Sequence, residues 1–145
     1  MIDCTDAPNR SVLVLRNDAG ESARMTDWIL GVCKSAGIAT KTAYALQLCL
    51  EEAVSNIVEH GRGAAPATEI VASVMREHSG VVLTVEDDGT AFDPTQFAAP
   101  RRGETLEELP VGGLGIPLMR RFADSVDYLR EGGRNHLRLT FAGGD

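Results

Sequence analysis

The stretch Leu46-Gln-Leu-Cys-Leu-Glu-Glu-Ala-Val-Ser-Asn-Ile-Val-Glu-His-Gly61 is the part of the sequence on which the fold prediction rests. Between Thr40, which suits an N-cap, and Gly61, which supplies a C-terminal stop, apolar residues recur every three or four positions. These apolar residues are Ala43, Leu46, Leu50, Val54 and Ile57. The pattern predicts a helix, and Glu52 and Asn56, four residues apart, share one of its faces.

Short strand and helix patterns lie on both sides of this stretch. In chain order they predict a strand at 11–16, helices at 21–36 and 40–60, strands at 68–76 and 80–87, a helix from about 116, and strands at 126–130 and 136–141. In several strands apolar and polar residues alternate, as in a sheet with one buried face. Residues 89–113 show little periodicity, and a loop of this length in a compact domain is usually functional or disordered. We predict that it forms a lid, at about residues 90–111.

Composition limits the classes of function. The 145 residues, 43% of them hydrophobic, fit a single domain spanning 1–145. The net charge of −7 and the lack of a basic run argue against nucleic acid as a partner. Three cysteines without CxxC spacing indicate free thiols in a reducing compartment. Because no segment resembles a membrane span or a signal peptide, we expect a cytoplasmic protein without membrane contact.

Glu52 and Asn56 are the first candidates for chemistry. A polar pair at this spacing on an exposed helix face is ordinary, but the surrounding residues are apolar, which favours a cleft. There, Asn56 can offer its amide oxygen to Mg²⁺, and a partly desolvated Glu52 can act as a base. Glu51 is the rival carboxylate, one residue and about 100° of helix rotation away from Glu52.

Two glycine motifs follow downstream. Asp87-Asp-Gly89 ends a predicted strand, and it is either a plain turn or a site where Asp87 accepts a hydrogen bond from a nucleotide base while Gly89 allows close approach. Gly112-Gly-Leu-Gly115 precedes a predicted helix, and it is either a hinge or a phosphate-binding backbone. The Gly-Lys-Ser/Thr ending of a Walker A loop is absent.

The three motifs in this order resemble the N, G1 and G2 boxes of the GHKL (HATPase_c) ATP-binding superfamily, over residues 11–141. Within this superfamily, the sequence at 51–61, 85–94 and 112–121 is similar to that of the anti-sigma factor serine kinases of bacterial partner-switching systems. The resemblance implies an α+β, two-layer sandwich, with a mixed, mainly antiparallel sheet covered on one face by three helices. This is the Bergerat ATP-binding fold.

The resemblance also assigns roles to residues. It implies ATP and Mg²⁺ as cofactors, with Glu52 as the general base for a substrate serine and Asn56 as the Mg²⁺ ligand.

Five further positions match nucleotide-binding positions of the superfamily. Asp87 would read adenine, and Gly89 would line the base pocket. Gly113 and Gly115 would lie at the phosphates under the lid. Asn135 matches a position near the adenine pocket where the family often has Thr or Asn.

One position departs from the superfamily pattern. Ala91 stands where many members have the second glycine of the G1 box, and its methyl group is expected to affect the pocket or the lid.

The implied function is that of a serine/threonine kinase and anti-sigma factor. It would phosphorylate a STAS-type anti-anti-sigma partner, sequester a sigma factor and form a homodimer. The alternative is a nucleotide-binding module that holds a sigma factor or another regulator without kinase turnover. We expect that an ATPase domain like those of type II topoisomerases is the wrong class. Such domains close their site with residues of a following domain, whereas only four residues follow Phe141 in this sequence.

Overall fold

The computed structural model describes residues 10–16, 21–60, 69–96 and 115–142, and all structural statements concern these ranges. The strands are β1 (Arg10–Arg16), β2 (Glu69–Glu77), β3 (Gly80–Asp87), β4 (Ser125–Glu131) and β5 (Arg134–Ala142). The helices are α1 (Glu21–Ala36), α2 (Thr40–His60) and α3 (Gly115–Phe122), with a 3₁₀ turn at Pro94–Gln96. Every helix and strand predicted from the sequence is present.

The five strands form one sheet in the order β1-β2-β3-β5-β4. All four pairings among the described strands are antiparallel, so the expectation of a mixed sheet was wrong for the described chain. Together with three helices, this sheet confirms the predicted α+β sandwich. The chain reaches its order by placing the last strand, β5, between β3 and β4.

The core lies between the helices and one face of the sheet. On β3, Val81, Leu83 and Val85 point to this face, as the period of two predicts, and they are buried. The least exposed large side chains include Leu15, Ile29, Leu46, Leu50, Ile70, Met119 and Leu139, which come from both layers. Because α2 supplies two of these and packs against α1, α3 and β3, it is the central helix of the molecule.

Glycines define the end of α1, where the sequence predicted it, and a turn between β4 and β5 that is shorter than the sequence predicted. Gly37 has a φ of 68°, and Ile38 N–H bonds to Cys33 C=O at 2.9 Å, which is the Schellman end of α1. Gly132 and Gly133, with φ of 62° and 74°, form a two-residue turn between β4 and β5. Because two glycines suffice for this turn, Asn135 lies inside β5, whereas the sequence analysis placed it in the turn.

Part of the predicted lid lies outside the described residues. Residues 97–111 of the lid are not described, so the lid stays a prediction. Gly113, which follows the lid, is not described either, and its phosphate role also stays a prediction. The described portion, residues 90–96, ends in the 3₁₀ turn. Within the described ranges, no helix combines the length and the apolar composition that crossing a bilayer requires.

Candidate functional site

A pocket opens where α2 faces the ends of β3 and β5. It is lined by Ala53, Asn56, Ile57, Val85, Asp87, Gly89, Thr90, Phe92, Pro94, Tyr128, Asn135 and Leu137. The structure therefore brings together four residues that the sequence singled out, Asn56, Asp87, Gly89 and Asn135. Most of the wall is apolar, with a few polar groups converging on it, which is the usual composition of a small-molecule site.

Asp87 is held in one orientation by the protein itself. It is 4% exposed and pairs across the sheet with Asn135. Its Oδ1 accepts two hydrogen bonds, from Gly89 N–H at 2.8 Å and from Asn135 Nδ2 at 3.0 Å. Oδ2 makes no hydrogen bond with any described residue, so it is the oxygen available to a ligand.

Asn135 connects Asp87 to the loop that follows β3. Its Nδ2 donates to Asp87 Oδ1 and, at 2.9 Å, to Thr90 C=O. Its Oδ1 accepts from Phe92 N–H at 3.3 Å and from the Tyr128 hydroxyl. Both ends of the amide are thus used within the protein, and Asn135 shapes the pocket through these bonds. Direct contact between Asn135 and a nucleotide remains a prediction.

Asn56 presents an unpartnered amide to the pocket. The side chain is 7% exposed, and its Nδ2 is the one buried side-chain polar atom in the described chain without a hydrogen-bond partner. Leaving such a group unsatisfied costs about 1–3 kcal/mol. Because Asn56 also lines the pocket, an acceptor atom of a ligand can supply the partner that its Nδ2 lacks. Its chemistry fits the predicted magnesium ligand, since carboxamide oxygens bind this ion.

Glu52 and Glu51 differ in their surroundings. Glu51 Oε2 accepts a hydrogen bond from Gln47 Nε2 at 3.4 Å, whereas Glu52 makes no hydrogen bond or ion pair with a described residue. Glu52 lies one helical turn before Asn56, is partly buried and does not line the pocket. Burial and the negative charge of Glu52 raise the pKa of Cys49 to about 12, so that thiol stays protonated. The choice of Glu52 over Glu51 as the base stays a prediction.

Strand β4 contributes two residues that the sequence analysis missed. Tyr128 lines the pocket, and Arg130 Nη1 donates to Gly89 C=O at 2.8 Å. Both lie on the same face of β4 as Val126, which packs on the core. The sequence did contain a signal for them, because Tyr128 and Arg130 alternate with outward-facing residues and so share the inward face of the predicted strand. Burial is the main cause that raises the pKa of Tyr128, so its hydroxyl remains a donor.

The segment after Gly89 is tied to α3. Asp93 Oδ1 accepts from Thr95 N–H at 2.8 Å, and Arg120 Nη2 donates to Thr95 C=O at 3.1 Å. Partial burial opposes ionisation of Asp93, but the hydrogen bonds from Thr95 and Gln96 outweigh it and lower its pKa. These contacts anchor the described start of the predicted lid.

The remaining predicted positions are distributed as follows. Gly115 is the first residue of α3, at the start of the helix where the phosphate role was predicted. Ala91 is exposed and does not line the pocket, so its methyl group does not narrow the pocket. The described residues contain no group of three or more His, Cys, Asp or Glu side chains placed to hold a metal.

Comparison with known proteins agrees with this geometry. The family described as "Histidine kinase-like ATPase domain" matches residues 15–141, which include α2, the Asp87 turn and the start of α3. The chain belongs to this family. The resemblance to the GHKL superfamily inferred from the three motifs is therefore confirmed, and so is the fold that it implied.

Curated proteins that are similar to this chain include two named as kinases and one named as an anti-sigma factor. "Serine/threonine-protein kinase BtrW" of Bordetella bronchiseptica is 33% identical over 113 residues, covering 78% of this chain and 80% of that protein. "Serine-protein kinase RsbW" of Listeria monocytogenes serotype 4a is 28% identical, covering 70% and 68%. "Anti-sigma F factor" of Bacillus cytotoxicus is 30% identical, covering 58% of each. These names agree with the subfamily that the motif wording indicated.

Proposed function

We propose that this protein is an ATP-dependent protein serine kinase and anti-sigma factor. It phosphorylates a STAS-type anti-anti-sigma partner and sequesters a sigma factor. The observation that carries the proposal is one pocket lined by both Asp87, whose Oδ2 has no partner among the described residues, and Asn56, whose amide nitrogen has none there either. The names of the relatives, which include protein kinases and anti-sigma factors, support the choice of activity.

The pocket suits an adenine ring with its amino group toward Asp87. Oδ2 accepts one hydrogen bond from this amine, and the ring lies against apolar side chains. The apolar lining residues are Ala53, Ile57, Val85, Phe92, Pro94 and Leu137. Gly89, held by Arg130 through its carbonyl, allows the base to approach the backbone.

Asn56 and Glu52 would act on the phosphate side of the nucleotide. Asn56 would hold Mg²⁺ through its amide oxygen, and the bound ion neutralises charge on the transferred phosphoryl group. Glu52, which is free of other partners among the described residues, would accept the proton of the substrate serine hydroxyl. Phosphoryl transfer needs positioning and charge stabilisation, so one base and one metal ligand suffice from this chain.

The negative charge of the protein gives a physical reason why phosphorylation of the STAS partner would release it from the kinase. The chain carries a formal net charge of −7, and a phosphorylated serine adds about −1.5 to −2 at pH 7. The phosphorylated partner would therefore be repelled, which leaves the kinase free to hold the sigma factor. A homodimer is part of the proposal because the resemblance implies one.

The kinase is tested with labelled ATP, Mg²⁺ and a candidate STAS-domain protein. Glu52→Gln should bind ATP like the wild type but transfer phosphate about 10²–10⁴-fold more slowly, the usual contribution of a general base. Glu51→Gln is the matched control, since Glu51 bonds to Gln47, and it should transfer phosphate normally. Normal transfer by Glu52→Gln would refute the role of Glu52.

A nucleotide-binding module without turnover is the second candidate. It is favoured by one observation, that Glu52 does not line the pocket. In that case ATP and a sigma factor would both bind, while no phosphate would reach a STAS protein under any condition. The same assay therefore separates the two functions.

A further inference from the structure

The orientation of the Asn135 amide determines how many hydrogen-bond acceptors Asp87 can present to a ligand. An amide has a donor end and an acceptor end, and its neighbours decide which way it points. Here the two donors, Tyr128 hydroxyl and Phe92 N–H, meet Oδ1, and the two acceptors, Thr90 C=O and Asp87 Oδ1, meet Nδ2. The reverse orientation would place the amide oxygen of Asn135 against two other acceptors, the Asp87 carboxylate and the Thr90 carbonyl.

Tyr128 is the main support on the donor side. The Phe92 N–H bond is long, at 3.3 Å, so it holds Oδ1 weakly. The Tyr128 ring forms part of the pocket wall, which fixes the hydroxyl beside Oδ1. Burial keeps this hydroxyl protonated by raising the pKa of Tyr128, so it can donate throughout the neutral range.

The fixed amide limits Asp87 to one free acceptor. Asp87 Oδ1 is used twice, by Gly89 N–H and by Asn135 Nδ2, and Oδ2 has no partner in the part of the chain that the structure describes. One acceptor matches the single exocyclic amine at position 6 of adenine. Guanine presents two adjacent donors, N1–H and the 2-amino group, and a carboxylate binds such a pair best with both oxygens free.

We propose that Tyr128 is a positioning residue for base selection, which acts through Asn135 to hold Asp87 as a single acceptor for 6-aminopurine nucleotides. The inference rests on the proposed ATP site. It assigns to β4 a role in specificity that none of the three sequence motifs carries.

The test is a thermodynamic cycle with two nucleotides. Calorimetry with Mg²⁺ gives the affinity of wild type and Tyr128→Phe for ATP and for purine riboside triphosphate, which lacks the 6-amino group. The variant should bind ATP about three- to tenfold more weakly, the effect of weakening one hydrogen bond. Its affinity for the purine analogue should stay within about twofold, because that ligand does not use Asp87. The preference for ATP over GTP should fall as well.

The controls separate positioning from general damage. Tyr44→Phe removes the same atom from the second of the two tyrosines, which is 58% exposed on α2, and should change neither affinity. Replacing Tyr128 by 4-aminophenylalanine restores a donor and should restore ATP affinity. An equal loss for both nucleotides, or no loss for ATP, would overturn the role of Tyr128 and leave the ATP site standing. A wild type that does not bind ATP would overturn the proposed function itself.

Discussion

At the scale of single residues, buried polar groups mark the site. Four polar or charged side chains are buried in the described chain, Asn56, Ser73, Asp87 and Asn135. Three of them line the same pocket, and one has no partner for its amide nitrogen. Burying such groups opposes folding, so their concentration in a cleft points to selection for binding.

Asp87→Asn tests the base contact. The change replaces one carboxylate oxygen by an amino group, which would face the adenine amine as donor against donor. We expect ATP affinity to fall by about ten- to a hundredfold, because a buried donor is left unpaired. Calorimetry measures this, and Asp127→Asn, an exposed residue on β4, serves as the control with unchanged affinity. Equal affinities in wild type and Asp87→Asn would contradict the assignment.

Asn56→Leu separates stability from function. Because the Nδ2 of Asn56 is already unpartnered, an apolar side chain of similar size should leave the free energy of unfolding unchanged or raise it by about 1 kcal/mol. Magnesium-dependent ATP binding should be lost in the same variant. Urea denaturation without ligand and calorimetry with it give the two readouts. A strongly destabilised variant would show that Asn56 is mainly structural.

At the scale of secondary structure elements, polar clamps join α1 to the edge strand β1. Arg16 N–H donates to Glu21 Oε2 at 2.8 Å, and Arg24 Nη1 donates to Val14 C=O at 2.9 Å. The backbone bond from Arg16, followed by the bond from Arg24, lowers the pKa of Glu21 despite partial burial. The start of α1 is thereby tied to the strand through the carboxylate form of Glu21.

This clamp predicts a dependence of stability on pH. Since the pKa of Glu21 is lower in the folded state than its ordinary value of 4.5, its contribution is present above that value and is lost as pH falls through the folded pKa. Glu21→Gln should lower the free energy of unfolding by less than about 1 kcal/mol at pH 7, because the pair lies partly in solvent. Chemical denaturation from pH 7 to 3 should show this difference narrowing below 4.5. If the difference in unfolding free energy between wild type and Glu21→Gln stays constant with pH, the charge of Glu21 contributes nothing to stability.

At the scale of the whole molecule, the central helix α2 joins the core to the site. Its inner face supplies Leu46, Cys49 and Leu50 to the core, and its next turns supply Ala53 and Asn56 to the pocket. A ligand bound at Asn56, as proposed, would therefore act on the same element that holds the fold together. A ligand that binds only the native state stabilises the entire cooperative unit.

Cysteine labelling measures this coupling. Cys33 and Cys49 are 4% and 1% exposed, and burial is the main cause that raises the pKa of both thiols. At pH 8 they should react with iodoacetamide at least about a thousandfold more slowly in the folded protein than in urea. Mg-ATP at a hundred times its Kd should slow the reaction by up to about a further hundredfold.

Peptide mass spectrometry reports each cysteine separately. Asp87→Asn provides the control, since ATP at the same concentration should protect it much less. Rapid labelling of the native protein would show that the core opens locally, without global unfolding. Protection by ATP that is equal in wild type and Asp87→Asn would place the nucleotide elsewhere.

The sequence by itself determined the elements and the order of the motifs. Apolar spacing predicts α2 with Glu52 and Asn56 on it, and alternation predicts β3 ending at Asp87, because both periods are properties of a local stretch of chain. Only the tertiary structure decided that β5 lies beside β3, which places Asn135 opposite Asp87 across 48 positions of sequence. It also brought Tyr128 to the pocket and left Glu52 unengaged while Glu51 bonds to Gln47. The physical reason is that strand order and side-chain partners depend on contacts between distant segments, which no local period encodes.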